Sequence, residues 1–595
     1  MPETIGQKFL ETVTKFPKKT AVMYKSGDRW QELNWIVYRE IVTTLAAGLQ
    51  TIGVRKGDKI AIYSNTRLEW AALDLAILGL GALTVPIYQS STPEDVEFIL
   101  KDSEAKILFC ENQNLFRRIE SNLKKIKSIE RVLCFDKDKK SPPGKEKVTF
   151  LDELQTKGET ALKKSPTLYE LAVREVHIKD PATIIYTSGT TGQPKGVLLT
   201  HTQVLSEVSD AFPLLGATSR DRSLSFLPYA HILGRIEVWG HALIGYTMAF
   251  AQGIDHLRTN LVEVKPTFFI SVPRVFEKIY QGILQQAELN SVKSRVFHWS
   301  LAVGREVGRY KMEKLPVPID LALKYQLAKK LVLNLISEKM GGQLRFAISG
   351  GAPLSRSIAE FFHAIGILVL EGYGLTETTA AITVNTPFDY RFGTVGKPVG
   401  DVKIKIAEDG EILVHSKKVM KEYYHNEEAT KLTIIDGWFH TGDIGELSSD
   451  NYLRITDRKK DLIKTAGGKF VAPQKLEGLL KSNQYISNVH IHGERKKYIV
   501  ALITLNWDLI HDFADNHGIQ IKSRNELTEH PKIKGLLRQV IAEANAHLAS
   551  YESIKQFAIL PTDFTIEEGT LTPSLKVKRK IVDQKYKALL DSLYK

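Results

Sequence analysis

Short apolar runs alternate with amphipathic helical stretches along most of the chain from about residue 58. The runs include "DKIAIYS", "LTVPIY", "AKILFC", "ATIIYTS", "TFFISVP", "LRFAISGG" and "ILVLEGYG". Strands that alternate with helices in this way are typical of α/β proteins with largely parallel sheets. The longest apolar run, residues 75–88, has only 14 residues, short of the ~20 that cross a bilayer. It predicts a buried helix followed by a strand.

Clusters of glycine and hydroxyl residues follow three of the predicted strands, in "TSGTTG", "SGGAPLS" and "GYGLTET". In open α/β sheets, ligands bind beyond the carboxyl ends of the strands. Successive N–H groups of a glycine-rich turn form a concave anion site, to which Lys195 in "TSGTTGQPKG" adds a charge. A Walker A loop places its lysine directly after glycine and before Ser or Thr, whereas Lys195 lies between Pro194 and Gly196. The pattern predicts a phosphate loop of another kind.

The length of 595 residues predicts at least two domains, because single cores stop growing at roughly 250–300 residues. A mixed polar and apolar stretch over about residues 283–342 predicts two or three helices interrupted at "LPVP", inserted into the α/β body. A charged segment, residues 457–460, is the predicted domain boundary. We therefore expect one domain over residues 1–457 and a second over residues 458–595.

Composition is ordinary for a soluble globular protein, with 43% hydrophobic and 25% charged residues. Cys110 and Cys134 both lie in predicted strands, and two cysteines in so long a chain do not make a disulfide framework. They predict buried thiols in a reducing compartment. The first residues, "MPETIGQKFLETVTKFPKK", do not read as a signal peptide, so we expect a cytoplasmic protein.

A formal net charge of +13 raises the question of an anionic partner. The basic residues are scattered through "KDKKSPPGKEK", "DRKKDLIK" and "KVKRK", without the interleaved aromatic residues of a single-strand binder. Nucleic acid is therefore not expected. A solvated surface explains most of this charge, and anionic ligands or contact with the inner face of an anionic membrane remain open.

The motif "YTSGTTGQPKGVLLTH" resembles the phosphate-loop signature of the adenylate-forming superfamily, which contains AMP-forming acyl-CoA synthetases, luciferases and peptide-synthetase adenylation domains. The resemblance continues in order through "LPYAHILGR", "ISGGAPLS", "EGYGLTETT", "FGTVGKPVG", "FHTGDIGEL", "ITDRKKDLIKTAGGKFVAPQKLE" and "LTPSLKVKR", and so covers nearly the whole chain. It implies an α/β fold in which a large N-terminal domain of stacked mixed sheets flanked by helices carries a small barrel-like subdomain. A small, mobile α+β C-terminal domain would follow.

The resemblance also implies a two-step reaction in one site. A carboxylate attacks the α-phosphate of ATP to give acyl-AMP and pyrophosphate, and a thiol, usually that of coenzyme A, then takes the acyl group. Mg²⁺ accompanies ATP, and the phosphates supply most of its oxygen ligands. No catalytic serine or cysteine is needed, because the thiol comes from the second substrate.

Site residues are carried over only where this sequence matches the motifs. The phosphate loop and its flanks would comprise Thr187, Ser188, Gly189, Thr190, Thr191, Gly192 and Lys195. The residues beside adenine would be Gly350, Gly351, Ala352, Tyr373 and Gly374. Thr376 would bond the α-phosphate, while Glu377 and Thr187 would ligate Mg²⁺. Glu377 in "LTETT" is equally placed for a capping box.

Asp443 and Arg458 match the pair that binds the ribose, although Arg458 alone would suit a surface salt bridge. Lys576 matches the lysine that bridges the substrate carboxylate and the α-phosphate, where a fixed cation offsets developing negative charge. Leu575 stands where most relatives have glycine, as it does in long-chain acyl-CoA synthetases. Lys578 and Arg579 leave the register open by a few residues.

His231 in "LPYAHILGR" matches a site near the acyl carboxylate, although a lone histidine is often structural. Lys460 falls where relatives have the hinge between domains. Gly467 and Gly468 fall on a loop that, in relatives, swings to the active site for thioester formation.

The insertion and the motifs "SVPRVFEKIY" and "TPSLKVKR" resemble long-chain fatty acyl-CoA synthetases. "TFFISVP", "VWGHALIGYTMAF" and "FFHAIGILVL" could line an acyl tunnel with Trp239 as its gate, or could equally be core. A long-chain fatty acid, ATP and coenzyme A are thus the expected partners. The alternatives are transfer to a carrier protein, a luciferase-like oxygenation, and a catalytically silent nucleotide- or lipid-binding homologue. The sequence leaves the oligomeric state and the chain-length preference open.

Overall fold

The computed structural model describes residues 4–137, 148–187, 193–288, 291–520, 523–546, 548–572 and 576–595. Its strands, numbered in chain order, have the following bounds: β1 Thr20–Ser26, β2 Arg29–Asn34, β3 Lys59–Tyr63, β4 Leu83–Ile87, β5 Ile107–Asn112, β6 Arg131–Asp136, β7 Val148–Phe150, β8 Pro181–Thr187, β9 Lys195–Thr200, β10 Arg222–Ser225, β11 Thr247–Phe250, β12 Phe268–Ser271, β13 Phe346–Ser349, β14 Leu368–Leu375, β15 Ala380–Val384, β16 Lys397–Pro398, β17 Lys403–Ile406, β18 Glu411–His415, β19 Glu422–Tyr423, β20 Ile434–Ile435, β21 Trp438–Leu447, β22 Leu453–Arg458, β23 Ile463–Lys464, β24 Phe470–Val471, β25 Ile486–His492, β26 Ile499–Leu505 and β27 Ile554–Leu560.

The α-helices have the following bounds: α1 Ile5–Lys15, α2 Trp35–Thr51, α3 Leu68–Gly79, α4 Pro93–Ser103, α5 Gln113–Leu123, α6 Leu151–Lys164, α7 Leu168–Arg174, α8 His201–Leu214, α9 Ile232–Ile244, α10 Leu257–Val264, α11 Pro273–Glu288, α12 Ser291–Met312, α13 Ile319–Ala328, α14 Asn334–Glu338, α15 Arg356–Ala364, α16 Glu427–Thr433, α17 Pro473–Lys481, α18 Trp507–Asn516, α19 Arg524–Glu529, α20 Pro531–Asn545, α21 Arg579–Lys585 and α22 Lys587–Ser592. Short 3-10 turns lie at Ile254–His256 and Thr376–Thr378, and a π-helical turn at Lys329–Leu333 joins α13 to α14.

Two large sheets form the body of the N-terminal region. The first has the order β16-β15-β14-β13-β12-β10-β11-β1-β2, and the second has the order β19-β9-β8-β4-β3-β5-β6-β7. Strands β10 to β14 pair in parallel in the first sheet, as do β3 to β7 with β8 in the second, while antiparallel strands complete the edges. Every apolar run named above forms a strand, because helices cover both faces and nearly continuous apolar strands are then buried. The predicted α/β class is confirmed.

The apolar run at residues 75–88 forms the end of α3 and all of β4, as predicted. Helix α3 is buried at every position except Glu69, which explains why it has no polar face. Its buried charge, Asp74, accepts hydrogen bonds from Thr84, Arg235 and Trp239 at 2.7, 2.8 and 3.2 Å. This buried ion pair fixes α9 against α3 and β4. Trp239 therefore belongs to the core and is not a tunnel gate.

The remaining sheets are smaller. A five-stranded antiparallel sheet has the order β17-β18-β21-β20, with β22 also paired to β21, and corresponds to the expected small subdomain. The hairpin β23-β24 and the three-stranded sheet β25-β26-β27 follow it. Buried apolar clusters of the described residues lie either before residue 454 or after residue 462. Arg458 still belongs to β22, so it lies in the N-terminal sheet, one residue past the predicted boundary.

Helices fill the segment predicted as an insertion, although the first of them, α11, begins ten residues earlier, at Pro273. The break at "LPVP" separates α12 from α13, as expected. Helix α12 lies very close to α15: a Cβ on Gly304 would come within 2.4 Å of the Ala364 carbonyl oxygen. This close approach fixes the helical segment to the body of the protein.

Cys110 and Cys134 are buried free thiols opposite one another in β5 and β6, and burial raises the pKa of Cys110 well above its usual value. Among the helices that the structure describes, none is both long enough and apolar enough to cross a membrane.

Glu237 in α9 is a buried carboxyl group that forms no ion pair with the residues that the structure describes. Neither of its carboxylate oxygens has a hydrogen-bond partner in the structure. Burial raises the pKa of Glu237 from 4.5 to about 7, and the hydroxyls of Ser225 and Ser223 oppose this shift without reaching hydrogen-bonding geometry. The folded protein therefore holds a proton here that the unfolded chain releases between pH 4.5 and 7, so this group lowers stability as pH rises through that window.

Glu237→Gln keeps the shape of the side chain and removes this titration. We expect the variant to gain stability over the wild type on going from pH 5 to pH 8, by about 2 kcal/mol, since each pKa unit is worth about 1.4 kcal/mol. Urea unfolding at the two pH values measures the difference, with Glu306→Gln on the exposed side of α12 as control. Identical pH dependence in Glu237→Gln and wild type would contradict the analysis.

Candidate active site

The glycine clusters after β13 and β14 lie side by side. The strands pair in parallel with Ser349 opposite Glu371, so the two loops leave the sheet at the same edge. Gly350 donates its N–H to the Ser271 carbonyl at 3.1 Å, and a Cβ there would lie 3.3 Å from Leu233. Gly351 has a φ of +80°, which only glycine adopts readily. The adjacency follows from the parallel pairing that the sequence predicts. Ala352, the next residue of this loop, is exposed.

Tyr373, Asp443 and Arg458 form one hydrogen-bonded group. The Tyr373 hydroxyl donates to Oδ2 of Asp443 at 2.7 Å, and Nε of Arg458 donates to Oδ1 at 2.8 Å. Asp443 and Arg458 are opposite one another in β21 and β22, which fixes this pair. Arg458 thus has a partner inside the site and is not a surface salt bridge. Asp443 is only 4% exposed, and its bond to Tyr373 joins the five-stranded sheet to β14 of the first sheet.

The turn after β14 carries Thr376 and Glu377. Gly374 lets β14 pass β15 closely, since a Cβ there would overlap the Ala380 carbonyl. The cap of the turn is Thr378, whose hydroxyl accepts the Leu375 N–H at 2.8 Å. Glu377 is therefore not the capping residue.

The carboxylate of Glu377 has a partner that the motifs did not indicate. Tyr423 donates its hydroxyl to Oε1 of Glu377 at 2.8 Å, and the Met420 N–H donates to the Glu377 carbonyl at 2.7 Å. Burial, and then the charge of Glu377, raise the pKa of Tyr423, so the hydroxyl stays a donor. Because 46 residues separate the two in "KEYYHNEE" and "LTETT", no local pattern could have linked them.

The two ends of the predicted phosphate loop lie opposite one another, near Tyr423. Thr187 closes β8 and Lys195 opens β9, directly opposite, with the Thr187 hydroxyl 3.4 Å from the Lys195 carbonyl. The Lys195 ammonium lies 4.8 Å from the ring centre of Tyr423. Tyr423 therefore contacts both the loop lysine and Glu377. The loop residues predicted between these ends, Ser188, Gly189, Thr190, Thr191 and Gly192, lie outside the described residues.

His231 is the N-cap of α9, with Nδ1 accepting the Leu233 N–H at 3.1 Å. Burial, and then the charge of Lys576, lower the pKa of His231 to about 4, so the ring is neutral at pH 7. Because Nδ1 is an acceptor, the neutral ring carries its proton on Nε2. His231 therefore has a structural role as the cap of α9. Its Nε2–H is left as a hydrogen-bond donor.

Lys576 reaches this cluster from the far end of the chain. Its side chain is exposed to solvent, and desolvation by the surrounding protein lowers the pKa of the ammonium. Arg458 lowers it further, and Asp443 and Glu377 oppose the shift. The guanidinium of neighbouring Arg579 instead donates a hydrogen bond to the Glu477 carboxylate at 2.7 Å. The geometry favours Lys576 over Arg579 as the cation that faces the site.

Three predicted residues are not brought to this cluster. Lys460 lies exposed in the turn after β22, and Gly467 and Gly468 lie exposed at the tip of the β23-β24 hairpin. In the described parts of the chain, backbone hydrogen bonds join this hairpin to the turn at Lys496 and Arg495. The structure has Lys576, and not the glycine hairpin, at the site.

An apolar cavity lies behind the cluster, between helices α8 and α9 and the first sheet. The predicted site residues that line it are His231, Gly350, Gly351, Tyr373 and Gly374, and the apolar residues that line it are Ala211, Phe212, Leu215, Ile232, Leu233, Ile236, Ile270, Ile348, Ala380, Ala381 and Val384. Of the three segments proposed for a tunnel, only "TFFISVP" contributes, through Ile270. The walls come instead from α8 and α9, which carry no recognisable motif for an apolar ligand.

A buried ion pair supports the cavity wall. Lys418 and Glu207 are both fully buried, with Nζ 3.1 Å from Oε2, and Asp210 is 3.5 Å from the same ammonium. Burial raises the pKa of Glu207 although Lys418 opposes the shift. Glu207 also accepts the Ala381 N–H at 3.0 Å, and the Thr379 hydroxyl donates to the Lys418 carbonyl at 2.7 Å. This pair therefore holds the segment that follows Glu377.

The residues that surround Glu377 fit a hard cation. Its carboxylate and the Thr187 hydroxyl are oxygen donors of the kind that Mg²⁺ prefers. Both side chains are partly open to solvent, and one carboxylate oxygen of Glu377 is already oriented by Tyr423. Few protein ligands suffice where phosphate oxygens complete the coordination.

Comparison with known proteins extends along the whole chain. Residues 9–424 match the family described as AMP-binding enzyme, and residues 460–595 match the AMP-binding enzyme C-terminal domain. The long-chain-fatty-acid–CoA ligase FadD15 of Mycobacterium bovis is 37% identical over 95% of this chain and 92% of its own length. Long chain acyl-CoA synthetase 7, peroxisomal, of Arabidopsis thaliana is 31% identical over 99% of this chain and 86% of its own length.

Solved structures share the fold. The anthranilate CoA ligase AuaEII in complex with anthranoyl-AMP superposes with a TM-score of 0.72 at 19% identity, covering 100% of this chain and 99% of that one. A Mycobacterium tuberculosis fatty acyl CoA synthetase gives a TM-score of 0.61 at 22% identity, covering 99% of each chain. At these identities the likeness concerns the fold alone, and it extends over both the N-terminal and the C-terminal regions.

Tyr423→Phe tests whether this hydroxyl positions Glu377. The variant keeps the ring beneath Lys195 and loses one hydrogen bond to a charged group. If Glu377 holds Mg²⁺, as the sequence predicts, we expect half-saturation by Mg²⁺ in nucleotide binding to need about threefold to tenfold more metal. Calorimetric titration of ATP at several Mg²⁺ concentrations measures this.

Tyr424→Phe is the matched control, because its backbone bond to Gly196 is kept and its ring lies on His425. We expect this variant to match the wild type. An unchanged Mg²⁺ requirement in Tyr423→Phe would show that Glu377 does not depend on this hydrogen bond.

Proposed function

Because the chain belongs to the family of AMP-binding enzymes, we propose that it is a long-chain-fatty-acid–CoA ligase. It would activate a fatty acid with ATP to acyl-AMP and pyrophosphate, and then transfer the acyl group to coenzyme A. The observation that carries this proposal is the hydrogen-bonded group of Tyr373, Asp443 and Arg458 beside an apolar cavity that Tyr373 also lines. The full-length similarity to curated ligases of this name supports the same assignment.

In the first half-reaction, an oxygen of the fatty acid carboxylate bonds to the α-phosphorus, and the bond from that phosphorus to the bridging oxygen breaks. Pyrophosphate leaves with the electron pair. Two anions must approach one another, and negative charge grows on the α-phosphate oxygens. A cation fixed between them removes the repulsion and stabilises the transition state, and Lys576 is the residue to which we assign this role.

The other site residues would hold the nucleotide. Tyr373 and the backbone at Gly350, Gly351, Ala352 and Gly374 would flank adenine, while Asp443 and Arg458 would take the ribose hydroxyls. Thr376 would donate to the α-phosphate. Thr187 through Lys195 would hold the β- and γ-phosphates, which leave together. Glu377 and Thr187 would hold Mg²⁺, whose charge offsets that of the triphosphate.

The apolar cavity, with a volume of about 60 Å³, would take only a short part of the acyl chain. Apart from Glu207 its lining side chains are mostly aliphatic and aromatic, and His231 is one of the lining residues. A neutral imidazole with a proton on Nε2 can donate to the substrate carboxylate without trapping it as a tight ion pair. The mostly apolar lining favours an apolar acid over an acid with polar substituents.

In the second half-reaction, the thiolate sulfur of coenzyme A bonds to the acyl carbon of acyl-AMP, and AMP leaves with the oxygen of the broken bond. We propose that the C-terminal region after Lys460 turns about that residue so that Gly467 and Gly468 replace Lys576. In the structure, their hairpin is hydrogen-bonded to the turn at Arg495 and Lys496, and both glycines are exposed. Transfer to a carrier protein would use the same chemistry and differs only in the acceptor.

A cytoplasmic location, with contact at the inner face of an anionic membrane, belongs to the same proposal. Two buried free thiols suit a reducing compartment, and a net charge of +13 suits an anionic surface.

We expect the protein to convert palmitate, coenzyme A and Mg-ATP to palmitoyl-CoA, AMP and pyrophosphate. Lys576→Ala should lower the rate of acyl-AMP formation at least 100-fold, because a charge fixed at the transition state is lost. ATP binding should persist, because the nucleotide contacts lie in the N-terminal region. Pyrophosphate release measures the rate of acyl-AMP formation, chromatography identifies the products, and calorimetry measures ATP binding.

Lys580→Ala, on the exposed side of α21, is the matched control and should leave the rate unchanged. ADP in place of AMP would refute the mechanism, and full activity of Lys576→Ala would refute the assigned lysine. Acyl-AMP that accumulates with coenzyme A present, but is consumed by a phosphopantetheinylated carrier, would assign the acceptor to the carrier class.

A further inference from the structure

One side of the helical segment after α12 is apolar and exposed. The residues concerned, with their exposed fractions, are Leu315 50%, Ile319 82%, Leu323 68%, Leu327 50%, Leu331 46% and Leu335 55%. We call them the leucine stripe. Soluble proteins rarely leave so many large apolar side chains together in water, and a contiguous exposed patch usually marks an interaction site.

The opposite side of the same helices is already buried. Leu321, Tyr325, Ala328, Leu333 and Ile336 face the protein. A surface helix normally needs one apolar face for the core and is polar on the other. These helices have two apolar faces, and only the inner one has a partner within the described chain. Folding therefore does not explain the leucine stripe.

Backbone geometry keeps the stripe on one side. In an α-helix, residues four apart drift by about 40° around the axis at each step. The wider π-helical turn at Lys329–Leu333 lies midway between α13 and α14 and counteracts this drift. The residues of the stripe therefore remain in line along a helical segment of about 30 Å.

The stripe is held on a rigid support. Helix α13 packs on α12, and α12 approaches α15 so closely that side chains on Gly304 and Gly308 would collide with Ala364 and His363. The helix α15 connects β13 to β14, whose loops carry the candidate site. The exposed face therefore belongs to the same body as the acyl cavity and cannot bury itself by local rearrangement.

The surroundings of the stripe are basic. Residues 311–339 contain six lysines and three acidic residues, a net charge of +3. Lys314, Lys324 and Lys330 are exposed beside the stripe, and Lys324 is 3.6 Å from Asp320. An apolar strip with lysines along it is the pattern by which helices lie in the headgroup region of an anionic bilayer.

We propose that the leucine stripe is a membrane-docking surface that inserts into the headgroup region of an anionic bilayer, with the flanking lysines on lipid phosphates. A second copy of the chain fits less well. A symmetric dimer would apply this face to itself, so that its lysines would confront those of the other copy, and like charges oppose association.

The choice of a bilayer as the partner rests on the proposed function, since long-chain fatty acids dissolve in membranes and a docked enzyme would meet its substrate there. The surface itself rests on the exposed residues and the charge. The two can therefore fail separately, and the experiment has to distinguish them.

Co-sedimentation of the full-length protein with vesicles of phosphatidylcholine containing 30% phosphatidylglycerol tests the surface. The stripe variant is Leu323→Gln, Leu327→Gln and Leu331→Gln together. These positions are exposed, so the fold does not need them. The matched control changes three exposed leucines elsewhere, Leu171, Leu214 and Leu432, to glutamine. The charge variant changes Lys314, Lys324 and Lys330 to glutamine.

We expect the wild type and the control to bind the anionic vesicles, and the stripe variant to bind at least tenfold more weakly. The charge variant should lose most of the preference for anionic over pure phosphatidylcholine vesicles. The absence of wild-type binding at low salt, or equal binding of wild type and stripe variant, would overturn the proposal. A concentration-dependent dimer that the stripe variant abolishes would overturn it in favour of a second copy.

Activity without vesicles separates this result from the proposed function. With decanoate, which dissolves in water, the stripe variant should retain the wild-type rate. If neither protein forms decanoyl-CoA or a longer thioester, the proposed function fails whatever the vesicle result. If both are active but neither binds vesicles, only the docking surface fails.

Discussion

The carboxylate of Asp443 is the point on which the candidate site depends. One of its oxygens accepts from Tyr373 and the other from Arg458. It thereby joins the first large sheet to the five-stranded sheet, close to where the chain passes into the C-terminal region. A buried carboxylate is tolerated only with such partners. The same hydrogen bonds that offset the free-energy cost of burying this carboxylate fix the relative positions of the two sheets around the predicted nucleotide residues.

Around this point the site combines groups of two different kinds. The nucleotide residues lie on a rigid sheet edge, where parallel pairing of β13 and β14 fixes the loops. Lys576 belongs to the C-terminal region and lies shortly before α21 begins. Desolvation and then the charge of Arg458 lower the pKa of its ammonium, while Asp443 and Glu377 oppose the shift, so residues of the other region contribute to its electrostatic environment. Chemistry in such a site depends on how the two regions meet.

Apolar surface serves two purposes in this molecule. Inside, α8 and α9 line a cavity behind His231, and the Lys418–Glu207 ion pair supports its wall. Outside, the leucine stripe lies on helices fixed to the same body. In the proposed function a long-chain acid leaves one apolar environment and enters another, and these two features would serve the two ends of that path.

The sequence by itself determined the α/β class, the strands, the family and the adjacency of the glycine loops, because periodicity and ordered motifs are local properties of the chain. Only the tertiary structure decided that Tyr423 orients Glu377, that Trp239 belongs to the core and that Lys576, not Arg579, faces the site. These facts depend on contacts between distant segments. Leu321 and Leu323 are both leucines and lie two positions apart, yet Leu321 is 4% exposed and Leu323 is 68% exposed. What packs against a helix decides which of its apolar faces is buried, and that information is not present in the helix itself.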